Sequence, residues 1–275
     1  MFPSFELFGK TIGLYPLLSL AGLLLAGFIA SRAAKKRGLD DNAMLMMLLS
    51  ICGGLLVGSH LLYAITNARF IAELFRSRFQ VITSFARFID VISFIFGGSV
   101  FYGGLIGGML AAALYARKAK VDFGAYSDAI APSVPLFHVF GRIGCFFGGC
   151  CYGVECSFGF TFTRSPSEIA NGVSRFPIQL AEAAFNLVIF IVLAYLQKNN
   201  RLKSRIFLLY LIIYPVGRFI LEFWRGDEIR GFVFGLSTSQ FISILLVIFA
   251  SVMLLVRARA DKTGGKADRS DIHEA

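Results

Sequence analysis

Runs of apolar residues about 20 positions long, the reach of a helix across a bilayer, alternate along this chain with short polar stretches that carry most of its charge. Seven such runs fall at 12–30, 43–65, 91–116, 127–149, 179–197, 206–224 and 232–256. In hydrocarbon every backbone N–H and C=O needs a partner, so a spanning run is helical unless it shows the two-residue alternation of a barrel strand. None of the seven shows it. The pattern predicts an all-α integral membrane protein with seven transmembrane helices, forming a membrane domain over residues 1–256. The first run reaches spanning length without a cationic leader, so it is expected to remain in the mature chain.

Composition removes the soluble alternatives: 56% of the 275 residues are hydrophobic and only 16% are charged. The net charge of +10 would suit nucleic acid, but its distribution points to membrane topology and no nucleic-acid partner is expected. Arg32, Lys35, Lys36 and Arg37 follow the first run, and Arg117, Lys118 and Lys120 follow the third. Lys198, Arg201, Lys203 and Arg205 follow the fifth, and Arg257, Arg259, Lys262, Lys266 and Arg269 follow the last. Cations concentrate on the cytoplasmic side, which predicts an external amino terminus and a cytoplasmic carboxyl terminus. Arg225 and Arg230, on the other side, are offset by Asp227 and Glu228. Arg69, Arg76, Arg78 and Arg87 lie among Phe and Ile residues, so 66–90 reads as an interfacial amphipathic segment against anionic lipid. Residues 150–178 form an external loop, and the polar stretch 257–275 is expected to be a disordered cytoplasmic tail.

Two arginines inside apolar sequence carry the candidate chemistry. Arg142 sits in the glycine-rich run Gly141–Gly153 and Arg218 in the sixth apolar run. Placing one Arg at the centre of a membrane helix costs about 3 kcal/mol, so each implies an anionic partner. Tyr214, Arg218 and Glu222 recur every four residues and share one helix face. An ion pair closing a helix interface is one reading. A single carboxylate does not neutralise two cations, however, whereas a lipid phosphate clamped between two guanidinium groups does.

His138 lies one helical turn before Arg142 and is either a structural hydrogen-bonding residue or a proton carrier. Gln179 and Glu182, behind Pro177, either bind a headgroup hydroxyl or cap and pair a helix start. His60, beside Tyr63, reads as structural. In Tyr102-Gly103-Gly104-Leu105-Ile106-Gly107-Gly108 the glycines either let helices approach closely or open backbone N–H groups to a headgroup, with Tyr102 at the entrance. Cys52, Cys145, Cys150, Cys151 and Cys156 match no standard zinc spacing. Close helix packing, a redox or catalytic thiol, a Cys151–Cys156 pair and a metal site completed by His138 are the alternatives. Neither metal nor cofactor is expected.

Taken together, these segments resemble the bacterial prolipoprotein diacylglyceryl transferases. Tyr102-Gly103-Gly104-Leu105-Ile106-Gly107 is similar to that family's His-Gly-Gly-Leu-Ile-Gly segment. Gly141-Arg142-Ile143-Gly144 with Phe146 and Gly153 resembles its Gly-Arg-x-Gly-Asn-Phe signature and the glycine that follows. Pro177, Gln179 and Glu182 resemble its Pro-Ser-Gln-Leu-Tyr-Glu segment, and Tyr214, Arg218, Phe219, Glu222, Phe223 and Arg225 its Tyr-x-x-x-Arg-Phe-x-x-Glu-Phe-x-Arg stretch.

The resemblance implies a multi-pass enzyme of the bacterial cytoplasmic membrane. It would transfer the diacylglyceryl group of phosphatidylglycerol to the lipobox cysteine of a prolipoprotein and release glycerol phosphate. It further implies that Arg142 and Arg218 handle the phosphate, that Tyr214 and Glu222 orient Arg218, and that Gly103, Gly104, Gly153, Gln179 and Glu182 line the substrate site. Three positions depart from the family: Tyr102 replaces a histidine proposed as base, Cys145 an asparagine and Cys150 a glutamate. A phenol ionises near pH 10, so Tyr102 would be a poor base: either His138 takes over proton transfer or the good leaving group makes a strong base unnecessary. A paralogue with another acceptor, and a non-catalytic binder or flippase of anionic phospholipid, are the competing readings.

Overall fold

The computed structural model describes residues 4–7, 10–68, 101–202, 204–227 and 232–270. The chain divides into two compact units, residues 1–33 with 127–275, and residues 34–126.

The larger unit opens with a hairpin of β1 (Ser4–Leu7) and β2 (Lys10–Gly13), followed by α1 (Leu14–Lys36), whose last turn belongs to the other unit. Its remaining helices are the end of α4 (Phe123–Ile130), α5 (Ser133–Gly148), α6 (Ile178–Lys198), α7 (Ile206–Leu221) and α8 (Thr238–Ser270). A second hairpin pairs β3 (Glu155–Thr161) with β4 (Ser174–Arg175), and a third pairs β5 (Phe232–Val233) with β6 (Leu236–Ser237). Helix α6 packs on α5 and α7, and α8 on α7, around Ile189, Leu193, Ile206, Tyr210, Leu211 and Ala250. Buried Asp128 pins the α7 start, accepting from the Phe207 N–H at 2.9 Å.

In the smaller unit α2 (Asp41–Thr66) begins at Asp40, whose carboxylate caps the Ala43 N–H at 2.6 Å. It packs along α3 (Phe101–Ala119) through glycines. A Cβ at Gly58 would stand 2.2 Å from the Gly103 carbonyl oxygen, and one at Gly107 2.2 Å from that of Gly54. Backbone therefore lies on backbone, the arrangement small residues permit between membrane helices.

Six described helical stretches are long and apolar enough to cross a bilayer: Leu14–Lys36, Asp41–Thr66, Phe123–Gly148, Ile178–Lys198, Ile206–Trp224 and Thr238–Arg259. Large apolar side chains stand exposed on these stretches, including Leu24, Val57, Val188, Ile220 and Leu255. Of the third run, 91–116, the part from Phe101 is helix α3, while 91–100 lies outside the described residues, as does 69–90 of the interfacial segment.

Several boundaries differ from the pattern. The run at 127–149 is broken between α4 and α5 at Ala131 and Pro132, because proline supplies no N–H to continue the ladder. The last run starts as a hairpin at Phe232, since Phe234 and Gly235 turn the chain at φ 53 and 78, and its helix begins only at Thr238. That helix then continues to Ser270, so most of the segment 257–275 expected to be disordered is helical. Ala258, Ala260 and Lys262 there are good helix formers.

Candidate functional site

Three helices of the larger unit bring polar residues to one cluster. Helix α5 carries His138, Arg142 and Cys145 on successive turns. Helix α6, which starts directly after Pro177, buries Gln179, Glu182 and Asn186 along one face. Helix α7 carries Tyr214 and Arg218 and then tightens into a 3-10 turn, Glu222–Trp224, that delivers Glu222 and Arg225.

Glu182 is the hub. Arg142 donates to its Oε2 through Nε, and Arg218 Nη1 donates to its Oε1 at 3.1 Å. Arg225 Nη1 approaches the same Oε1 at 3.6 Å. Arg218 Nη1 also pairs with Glu222 Oε2 at 2.6 Å, and Arg225 forks onto Asp227 with contacts of 3.2 and 2.8 Å. Three guanidinium groups thus face three carboxylates, with Glu182 exposed by only 3%. Arg142 differs from the other two. Its only ion pair among the described residues is through Nε, and its side chain keeps 21% exposure. Among the described residues no carboxylate reaches either terminal nitrogen, so one more anion can be received there.

Around this hub, His138 lies 5.0 Å from the Tyr214 ring, with Tyr210 stacked beyond at 5.4 Å. Asn186, Arg142 and Arg218 are electrostatic neighbours of His138. Fully buried Gln179 donates to the Cys150 carbonyl at 2.7 Å, and its Oε1 has no hydrogen-bond partner among the described residues. Gly153 is pressed between the carbonyls of Phe176 and Trp224, where a Cβ would meet oxygen at 2.3 and 2.9 Å. That closeness lets the loop after α5 bridge to Arg225, with Val154 N–H donating to the Trp224 carbonyl and Gly226 N–H to that of Tyr152, each at 3.0 Å.

The predicted residues Arg142, Arg218, His138, Tyr214, Glu222, Gln179, Glu182 and Gly153 all belong to this unit. Tyr102, Gly103 and Gly104 belong to the smaller one. There Gly103 and Gly104 lie against α2, as close packing requires, and Tyr102 is in the first turn of α3. His60 lies on α2. Arg225 balances Asp227 as expected, and it also approaches Glu182, a partner that charge counting does not reveal. Its place after Arg218 and Glu222 in the aromatic stretch was the available signal. Asn186 gave none beyond its spacing, one turn past Glu182.

The cysteines are free thiols, so the Cys151–Cys156 pair, one of the alternatives the spacing allowed, is not formed. Cys145, Cys150 and Cys151 converge, with all three sulfurs within 4.8 Å of one another and no histidine in the group among the described residues. Arg225 and Arg142 are electrostatic neighbours of Cys151 and favour its thiolate, while burial opposes it.

Comparison with known proteins gives the family. The chain is 37% identical over 247 residues to a phosphatidylglycerol–prolipoprotein diacylglyceryl transferase of Clostridium tetani, covering 89% of this chain and 92% of that protein. It is 34% identical over 251 residues to the transferase numbered 2 of Clostridium perfringens, covering 88% and 90%. The Enterococcus faecalis protein of the same name is 31% identical over 265 residues, covering 93% and 90%. Residues 4–256 match the family described as prolipoprotein diacylglyceryl transferase. With its apolar helices and its arginine–carboxylate hub, this multi-pass membrane protein belongs to the prolipoprotein diacylglyceryl transferase family.

Proposed function

We propose that this protein transfers the diacylglyceryl group of phosphatidylglycerol to the lipobox cysteine of prolipoproteins, in a bacterial cytoplasmic membrane. Seven helices cross it, with the amino terminus outside and the carboxyl terminus in the cytoplasm. The observation that carries the reading is the meeting of Arg142 and Arg218, from two helices, on the two oxygens of one buried carboxylate. Glu182 holds the two cations side by side in low dielectric, where a lipid phosphate gains most from them.

In the reaction the cysteine sulfur attacks the glycerol carbon that bears the phosphate ester. An S–C bond forms, the C–O bond breaks, and its electron pair leaves on glycerol phosphate. Arg142, with its terminal nitrogens open, and Arg218 stabilise that departing charge. Glu222 and Tyr214 keep Arg218 in place. The thiol proton passes to His138. Buried Gln179 Oε1 accepts a headgroup hydroxyl, since an unpaired buried acceptor costs about 1–3 kcal/mol. No cofactor is involved.

The test is incubation of the purified protein with labelled phosphatidylglycerol and a lipobox peptide. Label on the peptide thiol is the expected result, together with restored growth of a bacterium depleted of its own transferase. Lipid retained without any product would mark a binder or flippase, and label on a different nucleophile a paralogue.

A further inference from the structure

The transfer chemistry leaves Cys145, Cys150 and Cys151 unused, yet the backbone is shaped to assemble them. Helix α5 ends in a glycine turn: Gly149 takes φ 69, its N–H reaches Phe146, and the Cys150 N–H reaches back to the Cys145 carbonyl at 3.2 Å. That fold-back sets the Cys150 sulfur over the helix end, 3.7 Å from the same carbonyl oxygen. Cys151 then adopts φ 57, a left-handed conformation unfavourable to a residue with a Cβ, which persists only where surroundings enforce it. The enforcement is visible: Gln179, fully buried, holds the Cys150 carbonyl, and Ser165 Oγ donates to the Gly149 carbonyl at 2.6 Å.

We propose that Cys145, Cys150 and Cys151 bind one soft, thiophilic metal ion, Zn²⁺ or Cu⁺, through three thiolates. Thiolates bound at about 2.3 Å around a tetrahedral ion stand about 3.8 Å from one another, and the present spread of 4.8 Å closes to that by small rotations about the cysteine side chains. Sulfur ligands select Zn²⁺ and Cu⁺ over Mg²⁺ and Ca²⁺. No imidazole or carboxylate joins the group among the described residues. The ion is therefore three-coordinate if Cu⁺, or carries water as fourth ligand if Zn²⁺. Binding releases one proton to solvent for each thiol that ionises. Arg225 and Arg142, electrostatic neighbours of Cys151, offset the negative charge of the metal–thiolate unit. Because Cys145 lies one turn beyond Arg142, the ion also fastens the helix end that presents that arginine.

The probe is the metal alone. Full-length protein in detergent, kept reduced with a phosphine, is titrated with Cd²⁺ as a spectroscopic substitute and with Zn²⁺ in competition. One ion per chain and a thiolate-to-cadmium absorption band are expected, unchanged in Cys52→Ser/Cys156→Ser. Cys150→Ser and Cys151→Ser, both at partly exposed positions, should each weaken binding more than about tenfold. The wild type supplies a check that needs no variant: bound metal should protect Cys145, Cys150 and Cys151 from alkylation and leave Cys52 and Cys156 reactive. Absence of the band in folded protein, its persistence in Cys145→Ser/Cys150→Ser/Cys151→Ser, or equal alkylation of all five thiols would overturn the proposal.

Discussion

Arg218 Nη1 donates to Oε1 of Glu182 at 3.1 Å, joining α7 to α6 deep in apolar surroundings. The same carboxylate takes Arg142 on its other oxygen. Two cations that would each be costly in hydrocarbon thereby share Glu182, and Glu222 gives Arg218 a second carboxylate that Arg142 lacks among the described residues.

Neutralising that counter-ion is the most damaging single change. Glu182→Gln leaves three neighbouring guanidinium groups facing two carboxylates, and removing one partner of a buried ion pair costs about 3–5 kcal/mol. The melting midpoint in detergent should fall and transfer should be lost. Glu182→Asp, which keeps the charge, should melt closer to the wild type. Equal midpoints for the Gln variant and the wild type would show that the hub is not what holds α5, α6 and α7 together.

Replacing either arginine by lysine keeps the charge and removes the planar fork. Arg142→Lys and Arg218→Lys should each lower kcat/KM for transfer to a lipobox peptide by about a hundredfold or more. If simple charge were enough, both variants would retain most activity.

His138→Gln preserves size and polarity while abolishing proton transfer. Transfer should slow on the order of a hundredfold, with phosphatidylglycerol binding unchanged. A wild-type rate would leave His138 only its packing against Tyr214.

The glycine seam of the smaller unit gives a prediction about stability alone. In Gly58→Ala the new methyl would lie 2.2 Å from the Gly103 carbonyl oxygen, so α2 and α3 must separate, at a cost of about 1–3 kcal/mol. Gly53→Ala meets nothing within 4 Å and serves as the control. Thermal melting of the two variants should separate them clearly.

Much of this was legible because hydrocarbon allows few solutions. Long apolar runs had to be helices, and arginines at 142 and 218 had to find anions. Four-residue spacing put Tyr214, Arg218 and Glu222 on one face, and the Arg218–Glu222 pair is present at 2.6 Å. Spacing along the chain says nothing, however, about which carboxylate a residue meets on another helix. The role of Glu182 as common partner was therefore hidden, as was the burial of Arg225, which depends on a 3-10 turn redirecting the chain after Glu222.

The thiols show the same limit. Four cysteines within twelve residues admitted several readings, because two left-handed residues, Gly149 and Cys151, decide whether the sulfurs meet or diverge.

The sequence by itself determined the solvent of this protein, its helical character and the residues too polar to lie in hydrocarbon without a reason, since those follow from transfer energies that each segment carries locally. Tertiary structure alone decided that Arg142, Arg218 and Arg225 share Glu182 and that three sulfurs converge beside them. Coulombic and coordination energies depend on distances between atoms remote in the chain, and only packing sets those.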